Sequence, residues 1–290
     1  MFFATYRNTL KTLVRSALLW VMFVLLLAVA IYKVSVPNYG MVVVENDIII
    51  REITDLEDEF EMTRGSYVQA LRNNFGHLSY YAVPLFSIVS VMLVLSRDCK
   101  DSFFEIEKAG GVKPRTYFFG RLAAILTVNI VLVLVAVMFH NHLYCITRDV
   151  MGDMSMSLWA YVSETCIRVL RLFFCGMLPG MLFYIGLTYM AGSLFKSGFF
   201  GTVVSSSWVL LVYALGRTAG FRMSTVNDFL DPLNHKFYMY WGYYDTEWFT
   251  EKTIHNPWSA ETLLVHTALV VGIAVLGFAV SYICIRKRKV

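Results

Sequence analysis

The side chains that could do chemistry are concentrated in one short stretch, Ser96 to Leu122, which lies between two long apolar runs. Between those two residues the chain carries six Lys or Arg residues and four acids, together with two adjacent phenylalanines, a Gly-Gly pair and a proline. Apolar rings with charges of both signs around them are typical of a surface that binds another protein. We therefore interpret the stretch as a binding element, with an ordinary charged loop as the simpler alternative.

Catalytic motifs are missing from the chain. It contains no G-x-x-x-x-G-K-[ST], H-E-x-x-H or G-x-S-x-G sequence, and Gly192–Ser197 resembles a phosphate-binding loop only superficially because its spacing is wrong. The long apolar runs have no Asp, Glu, Lys or Arg in their interiors, whereas ion-coupled carriers usually need charged groups at membrane depth. The sequence predicts a non-catalytic protein without a cofactor or metal of its own.

The elements that must position this stretch are membrane helices. The chain is 57% hydrophobic and 16% charged, and a helix needs about 20 apolar residues to cross a bilayer. Because lipid offers no hydrogen bonds to the backbone, each apolar run is expected to be helical. We predict an all-α polytopic membrane protein, a single domain over residues 1–290, with six transmembrane helices. Their apolar runs are Ser16–Tyr32, Tyr80–Ser96, Leu122–Cys145, Leu172–Phe195, Ser197–Gly216 and Thr262–Ile285.

The distribution of charge predicts the orientation. With both termini inside, residues 1–15, 97–121, 196 and 286–290 hold 14 of the 25 Lys and Arg but only four of the 21 acids. Basic residues collect on the cytosolic side of membrane proteins, so we predict an N-in, C-in topology. The external segments are then about 34–79 and 217–261. The net charge of +4 reflects this topology and does not indicate nucleic acid.

The N-terminal residues 2–15 alternate apolar and basic side chains at helical spacing. Phe3, Tyr6, Leu10, Leu13 and Val14 define one predicted face, and Arg, Lys and polar residues fall largely on the other. Such a pattern favours an amphipathic helix in the inner membrane interface. The alternative is a cytosolic extension of the first span. We interpret that span as a membrane helix and not as a cleaved signal peptide, because no small-residue cleavage site follows it.

The external segments carry three further patterns. Met41–Val44 and Ile48–Ile50 flank residues 45–47 and predict two short strands with a turn. Acids cluster in residues 52–61, either as a negative face for a cation or, as we favour, as a solvated face. Cys145 and Cys166 could pair on the outside, although unpaired thiols are favoured. Aromatic residues are dense in the second external segment, residues 217–261, and predict contact with headgroups or a bound peptide or lipid.

Polar and small residues inside the spans are candidates for a pathway or for helix packing. Asn129 is a polar amide that should face other helices. Pro179 and Gly180 predict a kink or a broken turn in the fourth span. Ser206 lies in a run of three serines suited to close packing.

The central loop resembles that of ABC-2 type transporter permeases. Arg97, Glu105, the pair Gly110 and Gly111, the pair Pro114 and Arg115, and Arg121 follow the order in which that family places an Arg, a helix with a Glu, a small-residue turn, a Pro and a basic residue. Three positions depart from the pattern, because Ser96 replaces the usual Glu and residues 101–102 replace a Gly-Thr-like step. The six spans with both termini inside also match that family.

The resemblance implies a permease subunit of an ATP-driven transporter in a plasma membrane, with a bacterial origin expected. ATP and Mg would be bound by separate cytosolic P-loop ATPase subunits, two copies per transporter, beside a second permease subunit that is identical or related. The loop would form a cytosolic coupling helix, and the cargo would be a peptide, lipid or drug-like compound. The alternative is a non-transporting sensor or scaffold that binds a peptide through its external segments. The expected ATPase-coupling residues are Arg97, Asp98, Phe103, Phe104, Glu105, Glu107, Gly110, Gly111, Pro114, Arg115 and Arg121.

Overall fold

The computed structural model describes residues 1–35, 39–44, 47–52, 81–98, 107, 109–147, 170, 173–218, 230–233 and 260–287. Long helices dominate these residues. In chain order the helices are α1 (Phe2–Val14), α2 (Ala17–Ser35), α3 (Tyr81–Asp98), α4 (Pro114–Thr147), α5 (Leu178–Leu194), α6 (Gly198–Thr218) and α7 (Ala260–Lys287).

Each of the six predicted apolar runs coincides with a helix. Within the described residues, α3, α4 and α7 are long and apolar enough to cross a membrane, and α1 with α2 forms a fourth candidate that is bent by 57°. The apolar parts of α5 and α6 are both shorter, at 17 residues or fewer. This is the architecture of a multi-pass membrane protein, whereas six spans and their orientation stay a prediction.

A β-hairpin follows α2, as the sequence predicts. Strand β1 (Tyr39–Val44) pairs antiparallel with β2 (Asp47–Glu52), and Met41 lies opposite Ile50. Runs of three β-branched residues, 42–44 and 48–50, favour this conformation over helix. The strands are longer than predicted, because β1 begins two residues earlier, at Tyr39, and β2 runs from Asp47 to Glu52. The described fold is therefore helical with one hairpin and is not purely α. Most of the acidic segment 52–61 lies outside the described residues.

Helices α5 and α7 cross with their backbones in contact. A Cβ atom on Gly186 would lie 2.8 Å from the Ala274 carbonyl oxygen, and one on Gly277 would lie 2.6 Å from the Gly186 carbonyl oxygen. No larger residue fits such a backbone contact, so glycine is needed at both positions. Small residues bring helices together in this way where lipid supplies no hydrophobic driving force.

The α5–α6 hairpin is as tight as the sequence predicts. Helix α5 ends at Leu194 and α6 begins at Gly198, and Lys196 adopts a φ of 52° to reverse the chain. Further along, a Cβ on Gly201 would lie 2.5 Å from the Thr188 carbonyl oxygen. The Thr188 and Ser205 hydroxyls share a 2.7 Å hydrogen bond that joins the two helices.

Helix α1 packs against α4, and its buried side chains include two threonines that do not belong to the predicted apolar face. Thr5, Thr9 and Leu13 are buried, whereas Phe3 is 81% exposed. The reason is the close approach to α4, where a Cβ on Gly120 would lie 3.2 Å from the Thr5 side chain. A small hydroxylated side chain fits this contact and a phenylalanine does not. Because α1 ends at Val14 and the chain then bends, it is not an extension of α2.

Candidate functional site

The C-terminal ends of α3, α5 and α7 converge on the N-terminal ends of α4 and α6. The buried Phe118 ring at the start of α4 contacts Tyr189 of α5 at 5.7 Å between centroids, and Tyr282 of α7 at 5.9 Å. At the α3 end, a Cβ on Gly192 would meet the Leu95 side chain at 2.4 Å. These are the ends that the charge distribution predicts to be cytosolic, so the loop 97–121 emerges from a packed layer of helix termini.

A buried ion pair joins the two helices that the loop connects. Arg121 of α4 donates a hydrogen bond to the Asp98 carboxylate at the end of α3, and their side chains are only 3% and 5% exposed. The Arg121 guanidinium also lies over the Tyr117 ring, 4.0 Å from its centroid, which is a favourable cation–π contact. Removal of one partner would leave a charge at a site with little solvation.

Arg97 contacts the N-terminal helix. Its guanidinium donates a hydrogen bond to the Thr12 hydroxyl of α1, and that hydroxyl in turn donates to the Asn8 carbonyl oxygen at 3.0 Å. The last two residues of α3 therefore bind α1 and α4, respectively. Sequence order places Arg97 beside Asp98 but gives no sign that they face different helices.

Glu107 is a half-buried carboxyl next to this ion pair. Burial raises its pKa above the usual value, and the nearby Asp98 carboxylate acts in the same direction. Arg121, Arg97 and a hydrogen bond with Thr5 oppose the shift. Among the described residues its Oε2 atom has no hydrogen-bond partner. The carboxyl therefore takes up a proton more readily than an exposed glutamate.

A glycine turn separates Glu107 from α4. The Val112 amide donates a 3.0 Å hydrogen bond to the Glu107 carbonyl oxygen. Gly111 has a φ of 82°, which only glycine adopts without strain. Pro114 is the first residue of α4, where its missing amide hydrogen costs nothing. The Gly-Gly-x-x-Pro pattern thus ends the segment that contains Glu107 and begins α4.

The expected coupling residues divide into two groups. Arg97, Asp98 and Arg121 face other helices of the same chain and hold the base of the loop together. Gly110, Gly111 and Arg115 are exposed. Phe103, Phe104 and Glu105 lie outside the described residues, so their proposed contact with a partner stays a prediction.

Ser96 is explained by the packing of α3 against α6. A Cβ on Gly198 would lie 2.5 Å from the Ser96 hydroxyl and 2.9 Å from the Met92 carbonyl oxygen. The first turn of α6 therefore rests on the last turns of α3. A glutamate at position 96 would have to turn away from this contact, which gives the departure from the resembled pattern a physical reason.

Of the pathway or packing candidates, Asn129 forms a contact between α4 and α3. Asn129 is buried and donates hydrogen bonds to the Ser90 hydroxyl at 2.7 Å and to the Ile125 carbonyl oxygen at 2.8 Å. Ser206 is half-buried. The buried serine that bonds to Thr188 is its neighbour Ser205, which sequence reasoning missed because three consecutive serines give no indication of which one faces α5.

Pro179 marks an irregular start to α5. A π-helical turn over Phe173–Met177 precedes the helix, and Pro179 occupies its first turn. This matches the predicted break. Gly180 allows the chain to pass close to Leu233, since a Cβ there would lie 2.5 Å from that side chain. These residues shape the N-terminal end of α5.

Metal ligation finds no support in the described ranges. They contain no group of three or more His, Cys, Asp or Glu side chains placed to hold a metal ion. The side chains that do converge on the loop are an ion pair, a second arginine, a half-buried carboxyl and threonine hydroxyls. Comparisons with protein-family models, curated proteins and solved structures return no match to this chain.

Proposed function

We propose that this chain is the transmembrane permease subunit of an ATP-driven transporter of the ABC-2 type. A separate cytosolic ATPase subunit would dock on residues 97–121, and two ATPase copies would act on two permease subunits. The observation that carries the proposal is the buried Asp98–Arg121 pair at the base of the loop. It joins α3 to α4 at the point where a docked partner would apply force.

A partner that displaces the loop must move helices and not only the loop itself. The Asp98–Arg121 pair couples α3 to α4, and the hydrogen bond from Arg97 to Thr12 adds α1 to the same unit. Packed helices shift between discrete arrangements and do not deform continuously. Closure of an ATPase pair on the loop would therefore tilt α1, α3 and α4 together and open the pathway to the opposite side.

The proposed assembly has all six apolar helices in the membrane, with both termini in the cytosol of a bacterial cell. ATP and Mg bind the partner chain, and the cargo is a peptide, lipid or drug-like compound moved outward. The membrane-length helices and the basic ends of α1 and α7 support this arrangement. An antimicrobial peptide is one cargo that fits such an exporter.

The decisive experiment removes the predicted apolar anchor of the loop. We expect Phe103→Ala/Phe104→Ala to abolish co-purification of an ATPase subunit with this chain and the stimulation of its ATP hydrolysis. The matched control is Phe199→Ala/Phe200→Ala, an adjacent pair of exposed rings at the start of α6. It should leave complex formation intact. If wild-type protein retains no ATPase during purification, or if the loop variant retains one in full, the scaffold alternative replaces transport.

A further inference from the structure

Exposed apolar side chains surround the turn between α5 and α6. Only residues 195–197 separate the two helices. The side chains of Leu194, Phe195, Phe199 and Phe200 are between 48% and 67% exposed, and the Phe195 and Phe200 rings stack across the turn with 5.1 Å between their centroids. Exposed apolar surface of this kind marks a contact with a partner or with a membrane. We call residues 194–200 the hairpin tip.

A lysine occupies a position in the hairpin tip that suits glycine. The Ser197 amide donates a 2.9 Å hydrogen bond to the Gly192 carbonyl oxygen and closes the end of α5. This type of helix end places one residue in the left-handed region, and that residue is usually glycine. Here it is the exposed Lys196, with a φ of 52°. A side chain makes this conformation more costly than it is for glycine, which indicates a use for the exposed charge.

The apolar surface of the hairpin tip continues along α6. Four further exposed apolar side chains follow Phe199 on the same face of this helix, namely Val203, Val204, Leu210 and Leu211. Gly201 and Ser205 lie on the opposite side, where they contact α5. In a membrane protein an outward apolar face borders lipid or another helix. The hairpin tip and the outer face of α6 therefore meet the same surroundings.

The hairpin tip lies level with the end of α3, where the charged loop 97–121 begins. A Cβ on Gly198 would lie 2.9 Å from the Met92 carbonyl oxygen, so the first turn of α6 touches the last turns of α3. The exposed rings therefore end at the height at which the chain becomes charged. A boundary between apolar and charged surface is expected at the edge of the hydrocarbon layer, where lysine side chains extend to the headgroups.

The charge of Lys196 favours lipid over a second copy of this chain as the occupant of this surface. A twofold dimer places the same residues of both copies around one axis. Two copies that met through their hairpin tips would bring two Lys196 charges together at a poorly solvated contact, which is unfavourable. The phosphate groups of a leaflet offer the opposite charge, and the acyl chains beneath them accept the rings.

We propose that the hairpin tip is a lipid anchor. The rings of Phe195, Phe199 and Phe200 enter the edge of the hydrocarbon layer, and Lys196 binds the phosphate group of an anionic lipid. The anchor sets the depth of α5, most of whose residues are buried within the protein and have little lipid contact of their own. This inference rests on the proposed position of α5 and α6 in the membrane but not on transport, and it applies equally to a sensor or scaffold.

The first experiment measures the surroundings of the hairpin tip in the full-length protein. A nitroxide spin label is attached at Phe199→Cys, in a chain whose five native cysteines are replaced by serine, and the protein is reconstituted into vesicles of phosphatidylglycerol and phosphatidylcholine. We expect the label to be several times more accessible to oxygen, which dissolves in lipid, than to a water-soluble nickel complex. A reference label at Lys113→Cys, exposed on the loop, should show the opposite preference.

Two outcomes of this measurement would overturn the proposal. Preference for the nickel complex at position 199 would place the hairpin tip in water. Protection from both reagents would bury it beneath a second copy or another protein. Neither outcome bears on the ATPase partner, whose co-purification is measured separately.

The second experiment tests the role of Lys196. A fluorophore at Phe199→Cys is quenched by lipids with brominated acyl chains in the same vesicles. We expect brominated phosphatidylglycerol to quench it about threefold more effectively than brominated phosphatidylcholine, because a lysine near the membrane surface attracts anionic lipid. Lys196→Gln should remove this difference, and Lys196→Arg should keep it. The matched control is a fluorophore at Leu276→Cys, on the exposed side of α7, which both lipids should quench equally.

Equal quenching by the two lipids at position 199 of the chain with Lys196 would overturn the binding of an anionic headgroup. A difference that persists in Lys196→Gln would overturn it as well, since another basic group would then attract the lipid. Lys196→Gly serves in place of Lys196→Gln if the latter does not fold, because glycine adopts the required φ without strain.

Discussion

Asp98 and Arg121 lie 23 positions apart in the chain and form the least exposed charge pair of the described structure. Each loses hydration on burial, and the pair is tolerated because the two charges neutralise one another. We expect Asp98→Asn to lower the free energy of unfolding by about 3–5 kcal/mol, since the Arg121 charge then remains at a poorly solvated site. Denaturation of the detergent-solubilised protein measures this loss.

A double variant separates the pair from its individual members. Asp98→Leu/Arg121→Met removes both charges. It should lose less stability than the sum of the losses of the two single variants, because each single variant leaves one buried charge unpaired and the double variant leaves none. Strict additivity of the single and double variants would contradict an interaction between these residues.

Glu107 predicts a pH dependence of opposite sign to that of an ordinary ion-paired acid. Burial raises the pKa of its carboxyl in the folded protein, so the folded state binds the proton more tightly than the unfolded state does. The contribution to stability is complete below the usual pKa of glutamate and is lost as pH rises through the higher folded value. Glu107→Gln should therefore match the wild type at acid pH and exceed its melting temperature at neutral pH. A difference in melting temperature between Glu107→Gln and the wild type that stays the same from acid to neutral pH would contradict the prediction.

The sequence shows which charged residues lie in the loop, but it does not show which way their side chains face. The charged stretch drew attention to Arg97, Asp98 and Arg121, because basic and acidic residues between apolar runs are conspicuous, and their role in coupling stays a prediction. Their inward orientation could not be predicted, since it depends on α1 lying against α4. That contact in turn depends on Gly120 and Thr5, two small residues whose spacing in the sequence carries no visible signal.

At the scale of helices, the length and hydropathy of a run predict that a helix forms there. The position of that helix is decided by the residues at which it crosses its neighbours. The six apolar runs gave the helices, and the turn between Leu194 and Gly198 gave the α5–α6 hairpin. The hairpin of β1 and β2 followed from short β-branched runs. The apolar face of α1 stays a prediction for contact with the membrane interface, and the sequence did not indicate that Thr5 and Thr9 are buried. In a membrane protein an apolar side chain can face lipid, so hydrophobicity alone does not identify the buried face.

The α5–α7 crossing allows a sharp comparison between two glycines of one helix. A Cβ on Gly277 would meet the backbone of Gly186 at 2.6 Å, whereas one on Gly272 would meet nothing within 4 Å. We expect Gly277→Ala to destabilise the protein by about 1–3 kcal/mol through overpacking. Gly272→Ala should stabilise it by up to about 1 kcal/mol through helix propensity. The same sign of effect for both would contradict the observed crossing.

At the scale of the whole molecule, the arrangement of helix ends leads to a test of topology. The layer formed by the ends of α3 to α7 includes the α5–α6 turn at Lys196, and it is rich in basic residues. With six spans and the N-terminus inside, Lys196 faces the cytosol and the hairpin of β1 and β2 faces outward. Single cysteines at Lys196→Cys and Asp47→Cys, in a chain whose five native cysteines are replaced by serine, report each side. A membrane-impermeant maleimide should label the Asp47→Cys protein in intact cells, and the Lys196→Cys protein only after permeabilisation. Labelling of both cysteines from one side would contradict the number of spans between them. The reverse pattern would show that the protein has the opposite orientation in the membrane. Either result would remove the cytosolic position that an ATPase needs to reach the loop.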